Sequence, residues 1–268
     1  MGTTMHSMTL KDRLTASEQR YRKTGHYQGI THLSLKEADP FRYEKVYSEL
    51  RGALVSARET ALHISASPIV RNIGELCFAF YTPEGDSVAV STGIITHVHT
   101  MSEAIKFMIR QGYEDDPGIS EGDIFCNNDP DLGNVHTTDV HTMIPIFWEG
   151  QMLGWAGGVA HQVDIGASTP GHDPVATANR FEDGFYVTAE KIGENHEVRK
   201  DFKIRAQRSV RTPLYWDLDE KCRIAGIYMY GMRFIALSGK KVWSTSKLLC
   251  EKRWKKGVKY LWPASVND

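Results

Sequence analysis

Three of the chain's eleven histidines, His136, His141 and His161, fall within 26 residues, with Asp129, Asp131, Asp139 and Asp164 around them. Imidazoles and carboxylates together suit a borderline divalent ion such as Mn, Fe or Zn. No other stretch gathers such groups so densely. A hydrogen-bonded polar cluster at a strand end is the plainer reading of any one of these residues. Taken as a set, His136, Asp139 and His161 make a metal site the competing one.

The elements that must position them read as a hairpin. Val140 to Trp148 is apolar and β-branched, Glu149-Gly150 offers a two-residue turn, and Gln151 to Asp164 returns as the partner strand. In that register Trp148 pairs with Gln151, His161 with Thr138 and Val163 with His136. Opposed residues share a sheet face and diagonal neighbours lie roughly 7–8 Å apart, so His136 and His161 can aim at one ion. Strict alternation turns Asp139 the other way. The register therefore demands an irregularity, expected through Gly133-Asn134-Val135, that re-aims one side chain.

Around the hairpin the fold reads as α+β, mainly an antiparallel sheet with flanking helices. Asp39 and Pro40 are a good cap and first residue for a helix over about 40–63, with Tyr43, Val46, Leu50, Leu54, Ala57 and Ala61 on its apolar face. Leu76 to Tyr81 and Ser87 to Ser91 read as a second hairpin. A helix is expected from about 101 to 111, capped by Thr100. Ahead of it His97 and His99 either share a strand face beside the metal pocket or lie in a surface loop. Asn127-Asn128-Asp129-Pro130 is turn chemistry that would place Asp129 near the ion as its less expected outcome. Gly166 to Pro174 reads as a pocket-shaping loop, with His172 exposed in it. Neither a Walker-type phosphate loop, a zinc-finger spacing nor an internal repeat is present.

Gly122-Asp123-Ile124-Phe125, Asn128-Asp129-Pro130, Gly133, His136, Asp139, Ala160-His161, Asp164-Ile165-Gly166 and Pro170-Gly171, in that order, resemble the hydantoinase B family, and within it the acetone carboxylase α subunits. Supporting stretches are Ser65 to Val70, Gly74-Glu75, Arg180 to Gly184, Arg211-Thr212-Pro213 and Tyr215-Trp216. The likeness spans about residues 30–230 and implies a hydantoinase B-like N-terminal region. It also implies a Mn2+ ion (Fe2+ or Zn2+ being possible) held by Glu75, His136, Asp139 and His161. Spacing alone does not pick out Glu75. The implied reaction joins acetone to bicarbonate at the expense of ATP, giving acetoacetate. A hydantoinase A-like β subunit handles the nucleotide and a small γ subunit completes the assembly. The competing activities are a B-type hydantoinase or oxoprolinase subunit opening a cyclic amide, a mononuclear iron oxygenase, and a non-catalytic metal-binding fragment. The oxygenase triad usually spaces His and carboxylate at i, i+2, whereas here they stand at i, i+3.

Composition bounds the rest. With 268 residues and 41% hydrophobic content the chain can bury a proper core. Its four cysteines, Cys77, Cys126, Cys222 and Cys250, show no paired spacing, so disulfides are not expected and a reducing, cytoplasmic location is. No apolar run suits a signal peptide or a membrane span. Charge is uneven: residues 1–220 hold 21 Lys+Arg against 31 Asp+Glu, and residues 221–268 hold 11 against 2. A basic tail usually suggests nucleic acid. Here the family motifs also stop near residue 230, so a frameshifted or truncated end is the expected cause and no nucleic-acid partner is. The domain reading is accordingly an N-terminal arm over 1–38, a metal-binding domain over 39–230 and an atypical basic tail over 231–268.

Overall fold

The structure is a computed structural model that describes residues 8–94, 96–170 and 179–238. Helices α1 (Leu10–Thr24), α2 (Ser34–Ala38) and α3 (Pro40–Leu62) precede the hairpin β1 (Leu76–Tyr81) and β2 (Ser87–Val90). Then come α4 (Thr96–Arg110), β3 (Ile124–Asn127), β4 (Asp139–Trp148), β5 (Gln151–His161), β6 (Glu190–Glu194), β7 (Glu197–Val198), α5 (Lys200–Ser209) and α6 (Pro213–Ser238). The strands form one antiparallel sheet of seven, in the order β2-β1-β5-β4-β3-β6-β7.

Helices cover both faces of this sheet, which is why β1, read as LCFAFY, is buried at every position. Phe78 and Phe80 point to one side, where α3, α5 and α6 bring Leu50, Leu54, Phe202, Trp216, Ile227 and Tyr230. Cys77, Ala79 and Tyr81 point to the other, against Met101, Ile105 and Met108 of α4. A fully buried side chain of this size contributes roughly 1.5–3 kcal/mol, so α4 is held on the sheet by packing. Gly158 of β5 is required by close approach: a Cβ there would lie 2.6 Å from the Phe78 ring.

Asp39 caps α3 by accepting from the Arg42 N–H at 2.9 Å, with Pro40 as first residue. The expected inner face is buried from Leu50 onward, while Tyr43 and Val46 are only half covered. Within residues 1–38 the segment Leu10–Thr24 packs on the sheet domain. That segment is a helix opened by a Thr9–Asp12 capping box, and it buries Leu10 and Leu14 in the α4-side core. Residues 231–238 continue α6, and Phe234 stacks on Phe80 with ring centroids 3.7 Å apart. The rest of the basic tail, Cys250, and Gly171 to Pro174 with His172 lie outside the described residues. Cys77, Cys126 and Cys222 are buried thiols. Among the described residues no helix is long and apolar enough to cross a membrane.

Candidate metal centre

The central hairpin forms as read at its tip. Glu149 and Gly150 both take positive φ, 49° and 78°, the backbone of a type I′ turn, and Trp148 pairs with Gln151. The register then shifts. Phe147 pairs with Met152 but Ile146 pairs with Gly154, so Leu153 is an extra residue in β5. This bulge near the tip adds to the irregular backbone at residues 133–138 ahead of β4, and every later pair moves by one. Asp139, not Thr138, stands opposite His161. Because directly paired residues share a face, the bulge puts Asp139 and His161 together.

His136 arrives by a different route. It precedes the strand, and a turn closed by the Asp139 N–H donating to the His136 carbonyl at 3.2 Å folds it back over Asp139. Asn134 pins that turn, its Nδ2 donating to the carbonyls of His136 (2.9 Å) and Asp139 (2.7 Å). The Thr138 hydroxyl lies between the two imidazoles, bonded to His136 Nδ1 and, at 3.1 Å, to His161 Nε2. Asn128, buried beneath, ties the loop down by donating to Thr137 and Phe185 carbonyls and accepting from the Val187 N–H. Neither Asn128 nor Asn134 is singled out by reading for ligand-type residues. Their signal is the amide side chain flanking a turn.

One ligand atom each from His136, Asp139 and His161 lie within 4.8 Å of one another. Atoms bound to one ion at about 2.1 Å fall in that range. Asp139 is buried, and neither of its carboxylate oxygens has a hydrogen-bond partner. Burial, and next the charge of Glu75, push its carboxyl up to about 8. A buried acid set beside another acid and two imidazoles is a donor set that suits a divalent ion. Glu75 is half-buried just ahead of β1, and its carbonyl accepts from the His161 N–H at 3.3 Å. Burial raises its carboxyl too. Arg58 of α3 brackets it by donating to the Gly74 and Leu76 carbonyls. Glu75 thus borders the three-residue group, near enough for its charge to act on Asp139.

The other candidates separate. His97 and His99 are in the first turn of α4, which starts at Thr96 and not at 101, so they share no strand face. His97 is buried, with Nε2 3.6 Å from Asp139 Oδ1, while His99 is exposed. Burial, then His136 and His161, bring His97 down to about 4, so the ring is neutral. His141 is fully buried beneath, held well below its ordinary value by burial and then by His97 and Arg223. Asp129 is not in the ligand group. It caps a short 3-10 turn, Pro130–Leu132, accepts from the Thr188 hydroxyl at 2.8 Å, and pairs with Arg180, which also meets Asp131. Asp164 accepts from Arg211 at 2.7 Å.

With this geometry in place, comparison with known proteins is direct. The hydantoinase B/oxoprolinase profile matches residues 39–255, past the point near 230 where the motifs read from sequence end. The acetone carboxylase α subunit of Xanthobacter autotrophicus is 50% identical over 219 residues, 82% of this chain and 28% of that subunit. The acetophenone carboxylase δ subunit of Aromatoleum aromaticum is 31% identical over 159 residues, 57% of this chain and 22% of its own length. A nucleotide-free acetone carboxylase structure superposes with a TM-score of 0.83 at 46% identity, covering 91% of this chain and 32% of that one. The chain therefore spans about a third or less of the length of these relatives. On the profile match and the superposition together, it belongs to the hydantoinase B/oxoprolinase family.

Proposed function

We propose that this chain is the metal-holding part of the α subunit of an ATP-dependent ketone carboxylase that makes acetoacetate from acetone and bicarbonate. One observation supports it above others: the His136–Asp139–His161 group occurs in a chain 50% identical, over 82% of its length, to an acetone carboxylase α subunit. Mn2+ would be held by Glu75, His136, Asp139 and His161, and Fe2+ or Zn2+ would suit the same donors. When bound, the ion supplies a Lewis acid that polarises a carbonyl oxygen and stabilises the charge developing on it.

The protein's own part is positional. Thr138 holds the two imidazoles at a fixed separation, with ring centroids 5.0 Å apart. Asn134 fixes the turn that carries His136, and the Leu153 bulge sets the face on which Asp139 and His161 meet. His136 keeps about a third of its side chain exposed, leaving the group open to a small substrate. ATP would be worked by a hydantoinase A-like β subunit, with a small γ subunit completing the assembly; this chain contains no Gly-rich phosphate loop of its own.

The family also contains cyclic-amide hydrolases, and opening of a hydantoin or oxoproline ring is the second reading. Metal-free protein reconstituted with Mn2+, Fe2+ or Zn2+ should retain about one ion per chain by elemental analysis. Normal metal content in a His136→Ala, His161→Ala double variant would sink the assignment. Adding β and γ subunits with ATP, bicarbonate and acetone should then give acetoacetate. Ring opening of a hydantoin in place of carboxylation would select the second reading.

A further inference from the structure

His97 lies outside the three-residue ligand group yet is buried against it. It is the second residue of α4, 6% exposed, and its Nε2 stands 3.6 Å from Asp139 Oδ1. The other Asp139 oxygen, Oδ2, is 3.3 Å from His136 Nδ1. The carboxylate thus sits between two imidazoles, one delivered by a turn and one by a helix. His97 Nδ1 is buried and has no hydrogen-bond partner.

The backbone that carries the ring is held from behind. The Thr100 hydroxyl donates to the His97 carbonyl at 2.9 Å. That uses its only proton, so its oxygen accepts from His141 Nε2–H at 3.1 Å. His141 is on β4, two residues from Asp139. The first turn of α4 is therefore pinned to the strand that carries the carboxylate.

We propose that His97 is a positioning residue for the metal centre: its Nε2–H donates to Asp139 Oδ1, so that Oδ2 is the oxygen presented to the ion beside His136 and His161. This rests on the metal reading of the site. At 3.6 Å the pair stands just beyond hydrogen-bond length. The χ2 torsion of Asp139 is soft, so the carboxylate can turn toward His97 without moving the backbone. Nε2–H as donor leaves Nδ1 as a bare lone pair, in keeping with its lack of a partner. Groups that orient a ligating carboxylate from outside the coordination sphere typically govern metal affinity by 10–100-fold.

The test uses the full chain and Mn2+ alone, with affinity measured by competition against a fluorescent chelator. His97→Leu keeps the bulk and removes the donor, and should weaken Mn2+ binding by about 10–100-fold. His97→Gln, whose amide nitrogen can donate from nearly the same place, should stay close to wild type. Equal affinity in wild type and His97→Leu would overturn the inference while leaving the metal site intact. Equal loss in both variants would overturn it too, because His97 would then be a ligand in its own right. Failure of the wild type to bind any ion would remove the metal reading and this inference with it. Should His97→Leu not fold, histidine 15N NMR of the Zn2+-loaded wild type decides: an Nε2–H tautomer at His97 supports the proposal, and Nδ1–H refutes it.

Discussion

Two buried polar clusters sit on opposite faces of the same central strand, and they differ in where their positive charge comes from. Beneath α6, Arg223 is fully buried, donates from Nε to Thr142 Oγ1 at 2.9 Å, and lies over Trp216. One helical turn before it stand Asp219, which accepts from the Ser65 hydroxyl, and Glu220. Burial pushes these carboxyls up, to about 6 and about 7, and Arg223 pulls both down. Beneath α4, Asp139 is pushed up to about 8 by burial and then by Glu75, and its neighbours at ion-pair distance, among the described residues, are two imidazoles. Neither cluster satisfies every polar atom. The α6 cluster sets Arg223 among its acids, whereas among the described residues no Lys or Arg lies at ion-pair distance from Asp139. On that contrast rests our reading of the first as architecture and our proposal of the second as a place for an ion.

The comparison breaks most simply by removing the internal cation. Arg223→Met should destabilise the protein by roughly 3–5 kcal/mol, because buried acids lose their compensating charge. Urea unfolding would measure it. A loss below about 1 kcal/mol would mean the α6 acids are protonated and indifferent to Arg223.

The pH dependence sharpens the same point. Glu220 has a folded pKa of about 7 against an ordinary 4.5, so the folded state holds the proton more tightly than the unfolded chain. Its contribution to stability is complete below about 4.5 and is lost as pH rises through about 7. Glu220→Gln should therefore gain on wild type between those values, by an amount on the order of 3 kcal/mol at most, and run parallel above. Unfolding curves at several pH values would show it, and a constant gap between the two proteins would refute it.

Legibility in the sequence divides along similar lines. The hairpin, its turn at Glu149-Gly150 and the α3 cap at Asp39 follow from local pattern. The meeting of Asp139 and His161 does not, because it depends on one extra residue at Leu153, and the only hint in QMLGWAGG, Gly154 inside the strand pattern, does not distinguish a bulge from a close backbone approach. A one-residue shift moves every later side chain to a new partner. His97 was misplaced for a related reason. ITHVHTMSEA has β-branched residues at its start, which weakens a helical reading, and packing of Val98 and Met101 on the sheet overrides that preference. The α6 cluster was invisible, since Thr142 and Arg223 are 81 residues apart.

Asp139→Asn tests the other side of the contrast, and its two effects should have opposite signs. In metal-free protein the substitution removes a buried carboxylate that has no cation and faces the Glu75 charge, so stability should be unchanged or higher at neutral pH. The amide keeps the volume, and the backbone N–H that closes the 136–139 turn is untouched. With Mn2+ present the order should reverse. Wild type should gain about 2.7 kcal/mol when the ion is at a hundred times its Kd, and the variant should gain almost nothing at the same concentration. Thermal unfolding of both proteins, with and without Mn2+, gives all four values from one kind of measurement. If Asp139→Asn instead loses stability without metal, as Arg223→Met is expected to, Asp139 belongs to a self-compensated network and the distinction between the two faces of the sheet fails.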